Sequence, residues 1–243
     1  MTSVITALFG YSIDTIRPFV ESLNLTGFKG TKVVIYYNPD NEVKKYLENN
    51  NWNVYSIPEN KYHINLERFK EIPKVIEKYN LSNDTICFTD IRDVIFKKDP
   101  SEIKTNFYIG ADIFKPFTQH EWNAKAITDG FPNKLDIIKE EYPLCAGVII
   151  GNGALLKNFF TDCFSISIQS LYSNLVEWCA VDQAAVNILA YTKYKDTFQY
   201  PKLEDKIVFN TANRPIKDAV ELDGYYIYHQ YDRNEIVKNY LLN

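Results

Sequence analysis

Two aspartates, Asp90 and Asp93, stand directly after the apolar run Thr85 to Phe88 (TICF), with Arg92 between them. A short buried run of this kind reads as a strand. In open α/β sheets, ligands gather at the carboxyl ends of strands. Carboxylate oxygens at such a place suit a hard divalent cation, Mn²⁺ or Mg²⁺, which binds one or two carboxylates and substrate phosphates. The competing reading is a solvated turn, in which Arg92 pairs with an acid or Asp93 caps a helix beginning at Val94. An isolated pair of aspartates at this spacing would not separate the two. Strand context favours the cation.

The elements that would position this pair alternate between strand-like and helix-like runs, the pattern of an α/β sheet with helices on both faces. Val4 to Phe9, Lys32 to Tyr37, Trp52 to Ile57 and Thr85 to Phe88 read as strands, the first stopping at Gly10. A helix is expected over 14–23, with Pro18 tolerable only in its first turn. Asn38-Pro39-Asp40 reads as a turn that caps the next helix. Phe69, Ile72, Val75, Ile76 and Tyr79 recur at helical spacing, and Pro73 implies a late start or a kink there. The second half is less regular. Phe107 to Ile109 and Cys145 to Ile150 (CAGVII) read as strands, 116–132 as a long loop carrying Trp122, and 155–171 and 182–191 as helices. Short strands at 206–209 and 225–228 precede a polar tail. No repeat or linker interrupts the chain, which predicts one domain over 1–243. Residues 1–110 would be its nucleotide-binding half and 111–243 its acceptor and sugar half.

Composition narrows the partners. With 46% hydrophobic and 24% charged residues the chain is ordinary globular protein. A net charge of −4 lacks the concentrated basic face that nucleic acid requires, whereas a diphosphate could still bind if a metal supplied the positive charge. Cys87, Cys145, Cys163 and Cys179 show no CxxC pairing and no His at ligand spacing. Reduced core thiols are expected, and with them a cytoplasmic setting. The first residues lack the basic start and apolar stretch of a secretory leader. No window reaches the length of a membrane span. Eighteen Tyr and fifteen Phe offer flat faces for a sugar or base, although most must fill the core.

The segment FTDIRDVIFKKDP resembles the metal-binding segment of glycosyltransferases with the GT-A fold, a Rossmann-like, mixed, mostly parallel nucleotide-sugar-binding sheet. Many of those enzymes carry Asp-x-Asp here. Asp90 to Phe96 instead matches the D-x-R-D-V-x-F pattern of some bacterial and viral-type transferases. The resemblance implies that Asp93 is a direct metal ligand and that Asp90 contacts metal or ribose. CAGVIIGN resembles the N-A-G-V strand that shapes the donor sugar site in retaining, glycogenin-like members, with Gly147 at the sugar and Cys145 in place of the usual Asn. Val181 to Asn187 (VDQAAVN) resembles their D-Q-x-x-x-N segment. By that resemblance Asp182 contacts sugar hydroxyls and Gln183 lies near the anomeric carbon. The plainer reading of Asp182 is a helix N-terminal acid favoured by the dipole. His229 matches the C-terminal metal-binding His in order, with a hydrogen-bonded structural His as the alternative. Ala7, Leu8, Phe9 and Tyr11 fall where uracil and ribose are held. Arg68 corresponds to a basic residue on donor phosphate or sugar, with an exposed helix charge as the alternative. His63 and His120 carry no motif.

The activity implied is metal-dependent transfer of a sugar from a nucleoside-diphosphate sugar, UDP-linked by preference, to a glycan or other hydroxyl acceptor. The D-Q segment leans towards retention. An inverting enzyme would need a base on the acceptor, and Asp182 is the candidate. A nucleotidyltransferase of related fold predicts a Gly-rich basic loop after the first strand, and FGYSIDTIRP has one Gly and one Arg. A non-catalytic nucleotide- or carbohydrate-binding module predicts binding without metal and no donor hydrolysis.

Overall fold

Residues Thr31–Tyr37 show how the sequence makes a sheet buried on both faces. Val33, Ile35 and Tyr37 point into one core and Val34 and Tyr36 into another, the period of two that a strand imposes. The computed structural model of the chain describes residues 1–172, 178–211, 216 and 219–242. The strands are β1 (Thr2–Phe9), β2 (Thr31–Tyr37), β3 (Asn53–Ile57), β4 (Thr85–Thr89), β5 (Val94–Phe96), β6 (Phe107–Ala111), β7 (Leu144–Asn152), β8 (Val208–Asn210) and β9 (Ile227–His229). Six form a sheet in the order β3-β2-β1-β4-β7-β6. β7 alone runs against its neighbours β4 and β6, so the sheet is mixed and mostly parallel, as expected. The others form a small sheet in the order β5-β9-β8.

The helices are α1 (Ile13–Leu25), α2 (Asn41–Asn49), α3 (Ile64–Lys78), α4 (Glu121–Gly130), α5 (Leu135–Ile138), α6 (Gly153–Tyr172), α7 (Trp178–Tyr191) and α8 (Glu235–Leu242). One face of the large sheet packs its Ile5, Ile35 and Phe88 against α3, α6 and α7 through Phe69, Phe160 and Ala185. The opposite face sets Val4, Leu8 and Val34 against Ile16, Val20 and Leu47 of α1 and α2. A third, smaller core joins Ile95, Phe209 and Tyr228 of the small sheet to Val237 and Leu241 of α8. Asp40 caps α2 as expected, its carboxylate accepting from the amides of Glu42 and Val43. Among the described residues no helix is long and apolar enough to cross a membrane. Cys87, Cys145 and Cys163 are buried free thiols; the side chain of Cys179 lies outside the described residues.

Several local expectations change. Pro18 sits beyond the first turn of α1, and Pro73 sits well inside α3, which starts at Ile64 instead of late. Apolar stripes on each side of both prolines, Ile16 with Phe19 and Ile72 with Val75, are fully buried, and that packing outweighs the lost backbone bond. The stretch 116–132 is no loop. It holds a turn of 3-10 helix at Phe117–Gln119 and then α4, whose Ala126 and Ile127 are buried. Pro116 precedes the 3-10 turn and Gly130 and Pro132 mark the end of the helix, which is why the segment reads as loop. The C-terminal tail is the amphipathic α8. Val94 begins β5, so Asp93 caps no helix.

Gly153, at the start of α6, has no room for a side chain: a Cβ there would overlap the carbonyl of Leu81. Because the obstacle is backbone, it cannot swing aside. Gly153→Ala is expected to cost about 1–3 kcal/mol, read as a lowered urea midpoint with unchanged m-value.

Candidate metal and donor site

The loop 90–93 is where the two sheets meet. β4 ends at Thr89, and the Asp90 amide donates to the Gly147 carbonyl of β7, 2.8 Å away. Four residues on, Val94 opens β5, which pairs with His229 at the end of β9. The Gln230 amide then donates to the Asp93 carbonyl at 2.7 Å, with Gln230 in the left-handed region at φ 57°. Main-chain bonds thus fix both ends of the loop, and the side chains of Asp90, Asp93 and His229 converge.

One ligand atom from each of these three residues lies within 4.8 Å of the other two. His229 Nε2 is 3.4 Å from Asp90 Oδ2 and 3.7 Å from Asp93 Oδ1. It is buried and makes no hydrogen bond, and an unmet buried polar atom is costly. Gly147 lies beneath the ring. A Cβ there would overlap Cε1 and Nε2 of His229 and crowd Asp90 Oδ2. Gly147 therefore makes space for the imidazole and the carboxylate. Two carboxylates, an imidazole whose Nε2 has no hydrogen-bond partner and could bind a metal once it gives up its proton, and a cradle that any side chain would fill are what a divalent cation requires. The residues fit that group.

Arg68 accounts for the charge balance. Its guanidinium is buried and holds two carboxylates, Asp90 through Nη1 and Asp182 through Nη2, the latter at 2.9 Å. It is no exposed helix charge, and it also lines a cleft together with Asp90 and Asp93. Burial pushes the Asp90 carboxyl up, but the Arg68 and His229 charges more than reverse this and hold it well below the usual range. Asp93 moves the other way: burial raises it and the Asp90 charge adds to the rise, against the pull of His229. Asp182 is likewise raised by burial, which Arg68 only partly offsets. For His229 burial works against the charged ring, yet the Cys145 sulfur and the two carboxylates outweigh it and leave it well above its ordinary value. Without a cation, the imidazolium supplies the positive charge between the aspartates.

A cleft of about 530 Å³ opens above this group, lined by Ala7, Phe9, Tyr11, His63, Arg68, Asp90, Asp93 and Arg233 among others. Ala7, Phe9 and Tyr11 thus share a cleft with the acidic pair. Leu8 does not; its side chain is fully buried in the core against α1, so only its main chain could serve a ligand. Asp182 lies inside α7 as described, buried and paired, instead of acting as a bare N-terminal acid. Gln183 is half-buried and donates from Nε2 to Asn123 Oδ1 at 2.7 Å.

That contact leads to residues the sequence did not single out. Asn123 Nδ2 donates to buried Asp112 at 2.8 Å and lies 2.9 Å from His120 Nδ1, while Asn210 Nδ2 reaches Asp112 at 3.3 Å. Asn210 Oδ1 and the neighbouring Thr211 hydroxyl are buried without partners. Four chain segments contribute to this polar nest, and no short motif spans it. Arg92 pairs with Asp232 at 2.6 Å, the ion pair that the solvated-turn reading foresaw, here across the mouth of the cleft. Arg233 has no ion pair among the described residues.

No family model and no curated protein matches the chain. Its fold does match solved structures. The galactosyltransferase LgtC, solved with donor and acceptor sugar analogues, superposes with a TM-score of 0.60 over 93% of this chain and 86% of that one, at 14% sequence identity. At that identity the likeness establishes the architecture, the mixed α/β sheet of GT-A glycosyltransferases.

Arg68→Met is expected to leave the buried carboxylate of Asp182 without its counter-charge, and Asp90 with His229 alone, and to cost about 3–5 kcal/mol at pH 7. Asp182, already raised by burial against the pull of Arg68, would then titrate higher still. A carboxyl raised in the folded state destabilises above its pKa, and the penalty fades as it gains a proton. Urea midpoints of variant and parent should therefore converge between pH 7 and pH 5.

Proposed function

We propose that the chain is a metal-dependent glycosyltransferase that moves a sugar from a UDP-linked donor to a hydroxyl of a glycan or other acceptor. The observation that carries this reading is the Asp90–Asp93–His229 group, with its unmet Nε2, whose two aspartates line a cleft together with the end of β1. The architecture shared with a galactosyltransferase supports it.

Asp90, Asp93 and His229 would hold Mn²⁺ or Mg²⁺, which when bound supplies Lewis-acid stabilisation of the charge that develops on the departing diphosphate. The chain's own residues do the rest. Tyr11, Phe9 and the main chain near Ala7 and Leu8 hold the base and ribose end of the donor. Arg233 offers a cation to the phosphates from the rim. Arg68 keeps Asp90 ionised for its ligand role and fixes Asp182 beside it. Gly147 and Asp182 border the donor sugar, and Gln183 joins this region to the Asp112 nest. The unmet atoms of Asn210 and Thr211 make that nest a polar wall for acceptor hydroxyls. One oxygen of Asp182 is bound by Arg68 and the carboxyl is enclosed. It is better suited to accept hydrogen bonds from a sugar than to take a proton from an acceptor, which favours retention over inversion.

A screen of UDP- and GDP-sugars with Mn²⁺ and no acceptor tests this by slow donor hydrolysis. One UDP-sugar should be hydrolysed, and chelator or Asp93→Asn should reduce the rate about 100-fold or more. A chain that binds no nucleotide-sugar, with or without Mn²⁺, sinks the proposal, and metal-independent binding without hydrolysis indicates a binding module. The pH dependence of metal binding has a definite sign. His229 titrates well above its ordinary value, so the ring must lose its Nε2 proton to ligate. Mn²⁺ affinity should rise with pH through neutrality, as followed by calorimetry.

A further inference from the structure

Cys145 stands where the resembling enzymes carry Asn, and its sulfur lies 3.6 Å from His229 Nδ1, both groups buried. We propose that Cys145 is the positioning residue for His229: its sulfur accepts the Nδ1–H and thereby turns Nε2 towards Asp90 and Asp93. The metal role rests on the reading above; the hydrogen bond does not.

His229 has little freedom left except rotation of its ring. Its main chain is locked by pairing with Val94 on one side and Asn210 on the other, and its carbonyl accepts from the Thr211 amide at 3.1 Å. At Gly147 a Cβ would overlap Cε1 and Nε2 of the ring, so no side chain fits there. Rotation about the second torsion remains, and for His that torsion is broad and roughly two-fold. A half-turn would exchange Nε2 with Cε1 and Nδ1 with Cδ2. The carboxylates would then face carbon, and the atom now aimed at them unmet would be lost to a cation. The contact that distinguishes the two orientations from the other side of the ring is Nδ1 with Cys145 Sγ. Metal-bound histidines almost always donate their second N–H to a carboxylate, a carbonyl or water. Here a thiol, a weaker acceptor, occupies that place.

The unpartnered, buried Nε2 aimed at Asp90 and Asp93 is the independent observation that gives the thiol something to position. Strand β7 supplies both restraints. Cys145 and Gly147 both meet the ring, the sulfur at Nδ1 and the glycine beside Cε1 and Nε2.

Two variants of the full chain test this. Cys145→Val keeps roughly the volume and removes the acceptor, whereas Cys145→Ser keeps an acceptor. Free Mn²⁺ measured by electron spin resonance should show binding about tenfold weaker in Cys145→Val and closer to the parent in Cys145→Ser. The metal-free protein, labelled with ¹⁵N-histidine, gives a second readout. One of the three histidines should show an exchange-protected Nδ1 proton that disappears in His229→Gln and shifts or is lost in Cys145→Val. Parent-like Mn²⁺ affinity and an unchanged Nδ1 proton in Cys145→Val would overturn the proposal. So would equal losses in the Val and Ser variants. If the parent binds no Mn²⁺, the metal reading fails, and the Nδ1 proton still decides the role of the thiol.

Discussion

Two carboxylates can share a partly buried pocket only if positive charge is buried with them. Asp90 and Asp93 meet that condition in two ways, through the Arg68 guanidinium on one side and the His229 ring on the other. The two cations are not equivalent. Arginine stays charged at any pH a protein survives, so Arg68 is a permanent fixture, and it commits its second nitrogen to Asp182. Histidine can give its proton up, so under the proposed function the charge at His229 would be the one exchanged for a metal ion. The permanent charge defines the pocket and the exchangeable one reserves a place in it. Much of the neighbouring structure follows from this requirement, including the depth of α3, which carries Arg68, and the bare Gly147 backbone beneath the ring.

The geometry that delivers these groups is a junction between sheets. β4 and β7 belong to the large sheet and β5 and β9 to the small one, and the short loop 90–93 passes from one to the other. Strand β7 runs against its neighbours, which brings its first residues, Cys145 to Gly147, to the same end of the sheet as the last residues of β4. A parallel strand in that position would have presented its other end. The single reversed strand is therefore what sets a thiol and a glycine against the histidine.

Much of the framework was legible in the sequence because the strands of the large sheet are buried on both faces and read as unbroken apolar runs. KVVIYY, TICF and CAGVII are all of this kind, and each is a strand. Helices were harder where proline intervened. Pro18 and Pro73 argue locally against helix, and only the burial of Phe19 or Val75 against other elements overrules them. The fold of 116–132 was hidden by Pro and Gly at its edges. At the site, Asp90, Asp93 and His229 were found by resemblance of order, and the structure brings them together. The use of Arg68 as a buried clamp was not readable, since its partners Asp90 and Asp182 are 22 and 114 positions away. The same holds for Asp112, Asn123 and Asn210. Each is an ordinary polar residue in its own segment, and their significance lies only in their mutual contact.

The small sheet reaches the large one through β5 and the Asp90–Asp93 loop, with Arg92 and Asp232 tying together positions 140 apart in the chain. A cation shared by that loop and His229 would close the same long loop a second time. Anything that binds the folded arrangement and not the open chain adds its binding energy to folding, and closing a long loop removes much of the freedom of the open chain. Occupancy at this site would then act as a rivet for the C-terminal segment from β8 onward. Catalytic readiness and the seating of β8, β9 and α8 would become a single equilibrium, set by the supply of one ion.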